Sequence, residues 1–245
     1  MEKIDYTTRA YFEEFSSEDT DFIHGLIETY GIGSILDIPC ANGRNLSVIG
    51  DGVALAFFAD INPKMADIVQ NKISKERRTN CTALVLDMRD LSSLSFEVDT
   101  ILIMQQSFQM LSTEEGKKAL QNLQKAKYKR IIIDIYDFLK GAEDIPKFLY
   151  SPSVFTDNEG RSWIRRSSIS CISNNLVYIT HEYGSDEKAC IAEVSLYNYS
   201  RTEFLSLCKE CGYTIYDYYT DYSFGKNPAM GRTIFVIEKP EGKAL

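Results

Sequence analysis

Three aspartates that follow short apolar segments are the first residues whose type and spacing suggest binding chemistry. Asp37 lies near the end of one such segment, Asp60 follows residues 53–59, and Asp87 follows residues 83–86. Asp60 lies 60 − 37 = 23 residues after Asp37, close to the roughly 20-residue interval that places a carboxylate on a ribose in doubly wound α/β folds. This spacing indicates a site for a nucleoside-like ligand at the ends of neighbouring strands.

The stretch ILDIPCANGRN, residues 35–45, has the pattern of a buried strand followed by a tight turn and a helix. A turn that cradles a dinucleotide reads GxGxxG, because glycines let the backbone approach a pyrophosphate. Pro39, Ala41 and Gly43 stand here instead, so the sequence disfavours a pyrophosphate site. The N–H groups at the start of the following helix still favour an anion such as an amino-acid carboxylate.

A parallel sheet is needed to bring these residues together. Apolar segments alternate with helical patterns along the first part of the chain, which predicts a doubly wound α/β fold. The predicted strands cover residues 34–38, 53–59, 83–86, 100–104 and 130–135. The predicted helices cover residues 42–49, 64–75 and 113–127, with a further helical region at 6–30 that breaks at 16–19. Asn62 and Pro63 predict a capped helix start.

The pattern then changes to consecutive β-rich runs joined by short polar turns, which predict antiparallel pairing. These runs cover residues 163–172, 176–183 and 189–199, and a helix at 201–211 and strands at 213–221 and 232–238 follow. Gly212 is placed to end that helix. We therefore predict an N-terminal helical region with an α/β core at 1–145, an inserted antiparallel β unit at 146–200, and a closing helix and hairpin at 201–245.

Composition narrows the function classes. The formal net charge is −8, from 27 basic and 35 acidic side chains, and an acidic chain without a basic cluster argues against nucleic acid as the partner.

The longest apolar run, residues 53–59, is far shorter than the roughly 20 residues of a membrane span, and no signal-peptide pattern is present. We expect a cytoplasmic protein with reduced thiols. Cys208 and Cys211 lack the further ligands of a zinc site, so we expect no metal.

The stretch at residues 35–45 resembles the first motif of class I S-adenosylmethionine-dependent methyltransferases, in which an acidic residue on an apolar strand precedes GxGxG. Asp37 takes the acidic position, and alanine at the middle glycine position is a departure from the family. The stretches FFADINPKM, LDMRDL and DTILIMQQSFQML resemble the second motif, the third motif and the fourth strand with its turn. In the family the second acid, here Asp60, binds both ribose hydroxyls, the third, here Asp87, faces the adenine amino group, and N-terminal helices close over the cofactor. The resemblance implies these cofactor-binding residues: Asp37, Pro39, Ala41, Gly43, Asp60, Ile61, Asp87, Met88, Gln105 and Tyr11.

The resemblance spans nearly the whole chain and implies a specific fold. This is a Rossmann-like, doubly wound, mostly parallel seven-stranded sheet with an antiparallel last strand and an inserted antiparallel β lid. It also implies S-adenosyl-L-methionine as cofactor and S-adenosyl-L-homocysteine as product.

Motifs after the fourth strand bear on the acceptor. Enzymes that methylate amino groups of bases carry Asn/Asp-Pro-Pro-aromatic there, whereas this chain has QQSF at residues 105–108. Pro39-Cys40 lies after the wrong strand for a cytosine C5 nucleophile.

The inserted strands resemble the lid of glycine N-methyltransferases and nucleotide-sugar N,N-dimethyltransferases. We expect methyl transfer to nitrogen or oxygen of a small molecule by in-line displacement. A protein or RNA methyltransferase of the same fold and a non-catalytic cofactor-binding regulator are the alternatives.

Three residues are candidates for catalysis. His181, in the predicted lid, is a candidate general base, the alternative being an ordinary strand residue. Tyr136 and Asp137 follow the fifth strand, where they would face the acceptor cleft. Arg165 and Arg166 are adjacent on a strand, so only one of them can face an anionic acceptor. We expect a small-molecule partner, no nucleic acid and no membrane, and a homodimer is left open.

Overall fold

The computed structural model describes residues 2–4, 19–92, 94–140, 152–156, 160–173, 175–227 and 229–239. The strands in these ranges are β1 Glu2–Lys3, β2 Ser34–Asp37, β3 Leu55–Asp60, β4 Cys81–Val85, β5 Glu97–Ile103, β6 Lys127–Tyr136, β7 Ser153–Thr156, β8 Ser162–Ser173, β9 Leu176–Gly184, β10 Ala189–Tyr197, β11 Thr214–Thr220 and β12 Arg232–Glu238. The helices are α1 Thr20–Tyr30, α2 Leu46–Gly52, α3 Pro63–Glu76, α4 Thr113–Leu123 and α5 Arg201–Glu210, with a 3₁₀ turn at Ser107–Met110.

The larger sheet has seven strands in the order β11-β12-β6-β5-β2-β3-β4. Strands β2 to β6 pair in parallel, and β12 runs antiparallel between β6 and β11. The chain order reverses between β2 and β5, and in open α/β sheets ligands bind beyond the carboxyl ends of the strands at such a point. The predicted fold class is confirmed, and its topology points to the edge where Asp37 and Asp60 lie.

The core lies on both faces of this sheet because its central strands are apolar throughout, as strands buried on both faces require. Ile131, Ile132 and Ile133 are each at most 1% exposed. On one face the strands pack against α4 and α5, and on the other face against α1, α2 and α3. The sheet edge that holds the candidate site is therefore fixed from both sides.

The second sheet consists of β1, β10, β9, β8 and β7 in that order. Strands β7 to β10 pair antiparallel, whereas β1 pairs in parallel with β10. The sequence analysis placed residues 2–3 with the core unit, and the structure pairs them with this second sheet instead. Two buried amides join the sheet to the core: the Gln109 Nε2 donates to the carbonyl of Tyr136 and to that of Tyr197, both at 2.9 Å, and the Asn198 Oδ1 accepts from the Phe138 N–H at 2.7 Å.

Two predicted helices have bounds that differ from the structure by more than one residue. Helix α2 begins at Leu46 rather than at residue 42, because residues 41–45 form a turn in which Ala41 and Gly43 have φ values of 47° and 73°. Helix α4 ends at Leu123, and Lys127 already belongs to β6. The predicted cap of α3 is confirmed, since the Asn62 Oδ1 accepts from the Lys64 N–H at 3.1 Å. Residues 5–18, which include part of the predicted N-terminal helical region, lie outside the described residues.

Among the described residues, no helix has the length and apolar character needed to cross a membrane. No group of three or more His, Cys, Asp or Glu side chains there is arranged to hold a metal ion.

Gly43 should tolerate substitution less than the otherwise comparable Gly31. Both have positive φ, 73° and 58°, which costs a residue with a side chain about 1 kcal/mol. A Cβ at Gly43 would also lie 2.9 Å from the Val69 Cγ2, whereas a Cβ at Gly31 meets nothing within 4 Å. Overpacking adds about 1–3 kcal/mol. Urea denaturation should give a loss of about 2–4 kcal/mol for Gly43→Ala and about 1 kcal/mol for Gly31→Ala. Equal losses would contradict the packing of this turn on α3.

Candidate functional site

A cavity of about 470 Å³ lies beyond the carboxyl ends of β2, β3 and β5. Its floor comes from the larger sheet and the turns that follow its strands, and its roof comes from the second sheet. The floor includes Asp37, Pro39, Ala41, Arg44, Asp60, Ile61, Asp87, Met88, Gln105 and Met110. The roof includes Arg165, Ile179, His181, Tyr183, Val194 and Leu196. Binding cavities for small molecules are commonly about 300–1,000 Å³, so a nucleoside-sized ligand fits here.

Asp60 fixes the shape of the floor. Its Oδ2 accepts from the Ala41 N–H at 3.0 Å, and its Oδ1 accepts from the Asn62 N–H at 2.9 Å. The first bond holds the turn after β2, and the second holds the start of α3. Burial raises the pKa of this carboxyl, and the two N–H donors oppose that rise. The carboxylate thus joins the turn after β2 to the start of α3 and keeps lone pairs for a ligand.

Asp37 is a buried acid, only 2% exposed. Burial raises its pKa to about 7, while the positive charge of Arg44 and a hydrogen bond from the Asn45 amide, at 3.4 Å, act in the opposite direction. The charged form of such a group is costly unless a cation compensates it. A positively charged ligand in the cavity would therefore stabilise ionised Asp37.

The turn after β5 is held from below by a buried polar network. Gln105 and Gln106 both have positive φ, 56° and 55°, a conformation that costs residues with side chains free energy and persists only when neighbours enforce it. The Asp134 Oδ1 accepts from the Gln106 N–H at 2.6 Å. The Asp134 Oδ2 accepts from Arg232 at 2.5 Å and from the Tyr222 hydroxyl at 2.8 Å. This network fixes the turn that carries Gln105, which lines the cavity.

Gln105 also joins a cluster near the start of α1. Its Nε2 donates to the Asp19 Oδ2 at 3.2 Å, and Arg44 forms an ion pair with the same oxygen. Asp19 is 1% exposed, and its Oδ1 has no hydrogen-bond partner among the described residues. The cluster connects α1, the turn after β2 and the turn after β5 around one end of the cavity.

Asp87 is held by its own neighbour at the opposite end of the cavity. The Arg89 Nε and Nη2 donate to the Asp87 Oδ2 at 2.9 and 2.6 Å. This hydrogen bonding lowers the pKa of Asp87, so the group stays ionised at neutral pH. Met88 lies beside it on the cavity wall.

His181 lies in the roof, half-buried, and its Nδ1 is 2.8 Å from the Ser167 Oγ. Burial lowers its pKa to about 4, and the positive charge of Arg165 adds to that effect. The imidazole is therefore neutral at physiological pH. A neutral ring with this low pKa accepts a hydrogen bond but holds a proton poorly.

Most residues singled out in the sequence meet at this cavity. The structure brings together Asp37, Pro39, Ala41, Asp60, Ile61, Asp87, Met88, Gln105 and His181. Gly43 does not line the cavity and instead packs on Val69 below the turn. Tyr11 lies outside the described residues.

Tyr136 and Asp137 differ from their expected placement, since neither lines the cavity. The Asp137 Oδ1 accepts from the backbone N–H groups of Leu139 and Lys140, both at 3.2 Å, so this carboxylate closes the turn after β6. The Tyr136 ring packs on Phe138, with ring centroids 4.9 Å apart.

Sequence reasoning missed other cavity residues, among them Arg44, Tyr183, Val194 and Leu196. Alternation along the second sheet's strands was a readable signal that half of their side chains share a face. Which face turns to the cavity depends on how the sheet joins the core.

Residues 35–127 match the family model described as a methyltransferase domain. The chain carries a methyltransferase domain. This match confirms the predicted enzyme class, a methyltransferase. No curated protein was found to match the chain.

Solved structures resemble the methyltransferase over almost its whole length. One is an S-adenosylmethionine-dependent methyltransferase from Clostridium acetobutylicum, with a TM-score of 0.72, 16% identity and 93% of each chain covered. CalS10, an amino pentose methyltransferase from Micromonospora echinaspora, has a TM-score of 0.69, 15% identity and 92% of each chain covered. The sugar N-methyltransferase KedS8 from Streptoalloteichus has a TM-score of 0.69 and 18% identity, covering 93% of this chain and 89% of the other. These likenesses confirm the fold.

Replacing Asp37 by Asn should stabilise the ligand-free methyltransferase at high pH. The pKa of Asp37 is about 7 in the folded protein against an ordinary 3.8. Between these pH values the folded state holds a proton that the unfolded state has lost, so ionisation lowers the free energy of unfolding as pH rises. Each pKa unit corresponds to about 1.4 kcal/mol. Chemical denaturation should show little gain for Asp37→Asn at pH 4 and a gain on the order of 1–4 kcal/mol at pH 8. A loss at pH 8, or a gain that does not depend on pH, would contradict the buried acid.

Proposed function

We propose that this methyltransferase transfers a methyl group from S-adenosylmethionine to nitrogen or oxygen of a small-molecule acceptor. The observation that carries the proposal is the placement of two buried carboxylates, Asp37 and Asp60, at adjacent strand ends in one roofed cavity. The donor offers a charged amine and sulfonium, and it also offers ribose hydroxyls. Each carboxylate thus has a complementary group to bind.

The residues present fit this cofactor. Asp37 is a buried acid that a cationic amine would stabilise in its charged form. Asp60 keeps acceptor capacity for two hydroxyls while its N–H partners fix its position. Gln105 and Pro39 would flank the methionine part, and Asp87, Met88 and Ile61 would flank the adenine. Bound there, the cofactor supplies an electrophilic methyl group, and the protein supplies alignment for in-line displacement.

The acceptor side supports a small molecule and favours an amine. Ile179, Val194 and Leu196 form an apolar part of the roof, which excludes water from the reacting groups. Neutral His181 can accept a hydrogen bond from an N–H group of a neutral amine and so orient it. A hydroxyl would need a stronger base, since the pKa of His181 is about 4.

Two alternatives have less support. A protein or RNA methyltransferase needs an open, extended acceptor surface, whereas the second sheet roofs this cavity, and the net charge of −8 disfavours RNA. A non-catalytic cofactor-binding regulator would not need an apolar roof above the donor. The amino pentose and sugar N-methyltransferases of the same fold also support a small amine. We propose that the protein is cytoplasmic and has no membrane partner.

Asp60→Asn should weaken binding of S-adenosylmethionine by about 10- to 100-fold, the effect of about 1.5–3 kcal/mol from hydrogen bonds to a charged group. Asp99→Asn is the matched control. The Asp99 Oδ2 also accepts from two backbone N–H groups, those of Gly33 and Ser34, both at 2.8 Å. It lies at the opposite edge of the sheet, so its loss should affect stability alone. Calorimetry that gives equal affinities for the two variants would contradict the ribose role of Asp60.

Turnover separates the proposal from its alternatives. The wild-type protein with S-adenosylmethionine labelled in the methyl group should methylate members of a panel of small amines and give little product with alcohols, with peptides or with RNA. Label transferred only to peptide or RNA would refute the small-molecule assignment. Cofactor binding without transfer to any of these acceptors would favour the regulatory alternative.

A further inference from the structure

Two adjacent arginines on β8 lie on opposite faces of the second sheet. Successive strand side chains alternate in direction, and burial follows this alternation: Trp163 and Ser167 are buried, whereas Ile164 and Arg166 are exposed. Arg165 is on the inner face and lines the cavity. Arg166 pairs in register with Glu182 on the outer face. The strand therefore places one cation of the pair at the cavity.

The inner face has a polar end and an apolar end. Arg165 is in register with Tyr183, and Ser167 is in register with His181, so Arg165 and His181 are diagonal neighbours across two strands. The other end of the roof carries Ile179, Val194 and Leu196. A guanidinium thus stands next to the imidazole, and apolar side chains continue the wall away from it.

Electrostatics support the same arrangement. The positive charge of Arg165 contributes to the low pKa of His181, so its field reaches the ring. The Arg165 Nη2 donates to the Ser153 Oγ on β7 at 3.2 Å, which orients the guanidinium from the rim.

The other two cations of the cavity wall hold carboxylates of the floor. Arg44 forms an ion pair with Asp19, and Arg89 forms one with Asp87. Both pairs lie at the ends of the floor, where we place the cofactor. Among the described roof residues that line the cavity, Arg165 is the one that carries a charge at neutral pH.

We propose that the acceptor carries an anionic group, a carboxylate or a phosphate, and that Arg165 binds it and thereby places the acceptor's amine beside His181. A guanidinium binds either group through two parallel N–H donors, the strongest kind of hydrogen-bonded ion pair. This inference rests on the proposed function, because it names the substrate class for the same site. It makes Arg165 a specificity-determining residue.

Matched acceptor pairs test this specificity. If the anionic group is a carboxylate, the wild-type protein should methylate glycine in preference to glycinamide. If it is a phosphate, the protein should methylate glucosamine 6-phosphate in preference to glucosamine. Arg165→Gln should lower kcat/KM for the anionic member by about 10- to 100-fold, a much larger loss than for the neutral member, and Arg165→Lys should cause an intermediate loss for the anionic member. Arg166→Gln is the matched control and should behave as wild type. Equal use of both members of each pair, or equal effects of the two Gln variants, would overturn the inference.

A titration without turnover gives an independent result. The chain has two histidines, so the ring signals of His181 and of exposed His24 can be followed by NMR in protein saturated with S-adenosylhomocysteine. Glycine or glucosamine 6-phosphate should shift the His181 signal and raise its pKa, because the anion offsets the charge of Arg165, while His24 gives the reference. Arg165→Gln should abolish the shift caused by the anion and by itself raise the pKa of His181. No shift with either probe, or a shift that persists in Arg165→Gln, would overturn the inference.

The two proposals fail in distinguishable ways. Methylation of neutral amines without any anion preference leaves the proposed function intact and removes this inference. Failure to bind S-adenosylmethionine removes the proposed function, and the same NMR titration, performed without cofactor, still decides whether Arg165 binds an anion.

Discussion

The site depends on the carboxylate of Asp60. Its two oxygens accept from the N–H groups of Ala41 and Asn62, so one side chain at the end of β3 holds both the turn after β2 and the start of α3. Of the three glycine positions in the family's first motif, the turn after β2 has a glycine only at Gly43. Ala41 takes the middle position and has a φ of 47°. A residue with a side chain adopts this conformation only where its surroundings enforce it. The hydrogen bond from Ala41 to Asp60 does so here, and it explains how the motif keeps its shape without the usual middle glycine.

Charge is distributed unevenly around the cavity. The floor combines buried acids with two arginines that are already paired with carboxylates, and this arrangement suits a ligand that brings positive charge. The roof adds the guanidinium of Arg165 and neutral His181. The floor is thus complementary to a cationic donor, and the polar end of the roof is complementary to an anionic acceptor. Opposite charges on the two substrates would help to hold each in its own half of the cavity.

Several parts of the fold were predictable because their signals are local. The strands of the larger sheet are apolar on both faces, and Asn62-Pro63 marks the start of α3. The capping boxes Ser112–Glu115 and Ser200–Glu203 at the starts of α4 and α5 are equally local signals. The predicted meeting of Asp37, Asp60 and Asp87 at one edge followed from parallel pairing of their strands, and the structure has them lining one cavity.

Other features depend on contacts between distant residues and could not be read from the chain. The late start of α2 follows from the hydrogen bond between Ala41 and Asp60, 19 residues apart. The pairing of Glu2 with Cys190 of β10 joins residues that lie 190 − 2 = 188 positions apart. Tyr136 and Asp137 do not line the cavity, and the buried Gln109 and Asn198 bind the backbone of residues 136 and 138.

The central claim is that Asp37 and Asp60 hold a cationic nucleoside donor, and proton release on binding tests it most directly. Calorimetry of S-adenosylmethionine binding at pH 6.5, repeated in buffers of different ionisation enthalpy, counts the protons exchanged. Asp37, with a pKa of about 7, is largely protonated at that pH in the free protein and must lose its proton to pair with the donor's amine. We predict net proton release for the wild type that is absent in Asp37→Asn. Binding without proton release in the wild type, or the same release in both proteins, would contradict the claim.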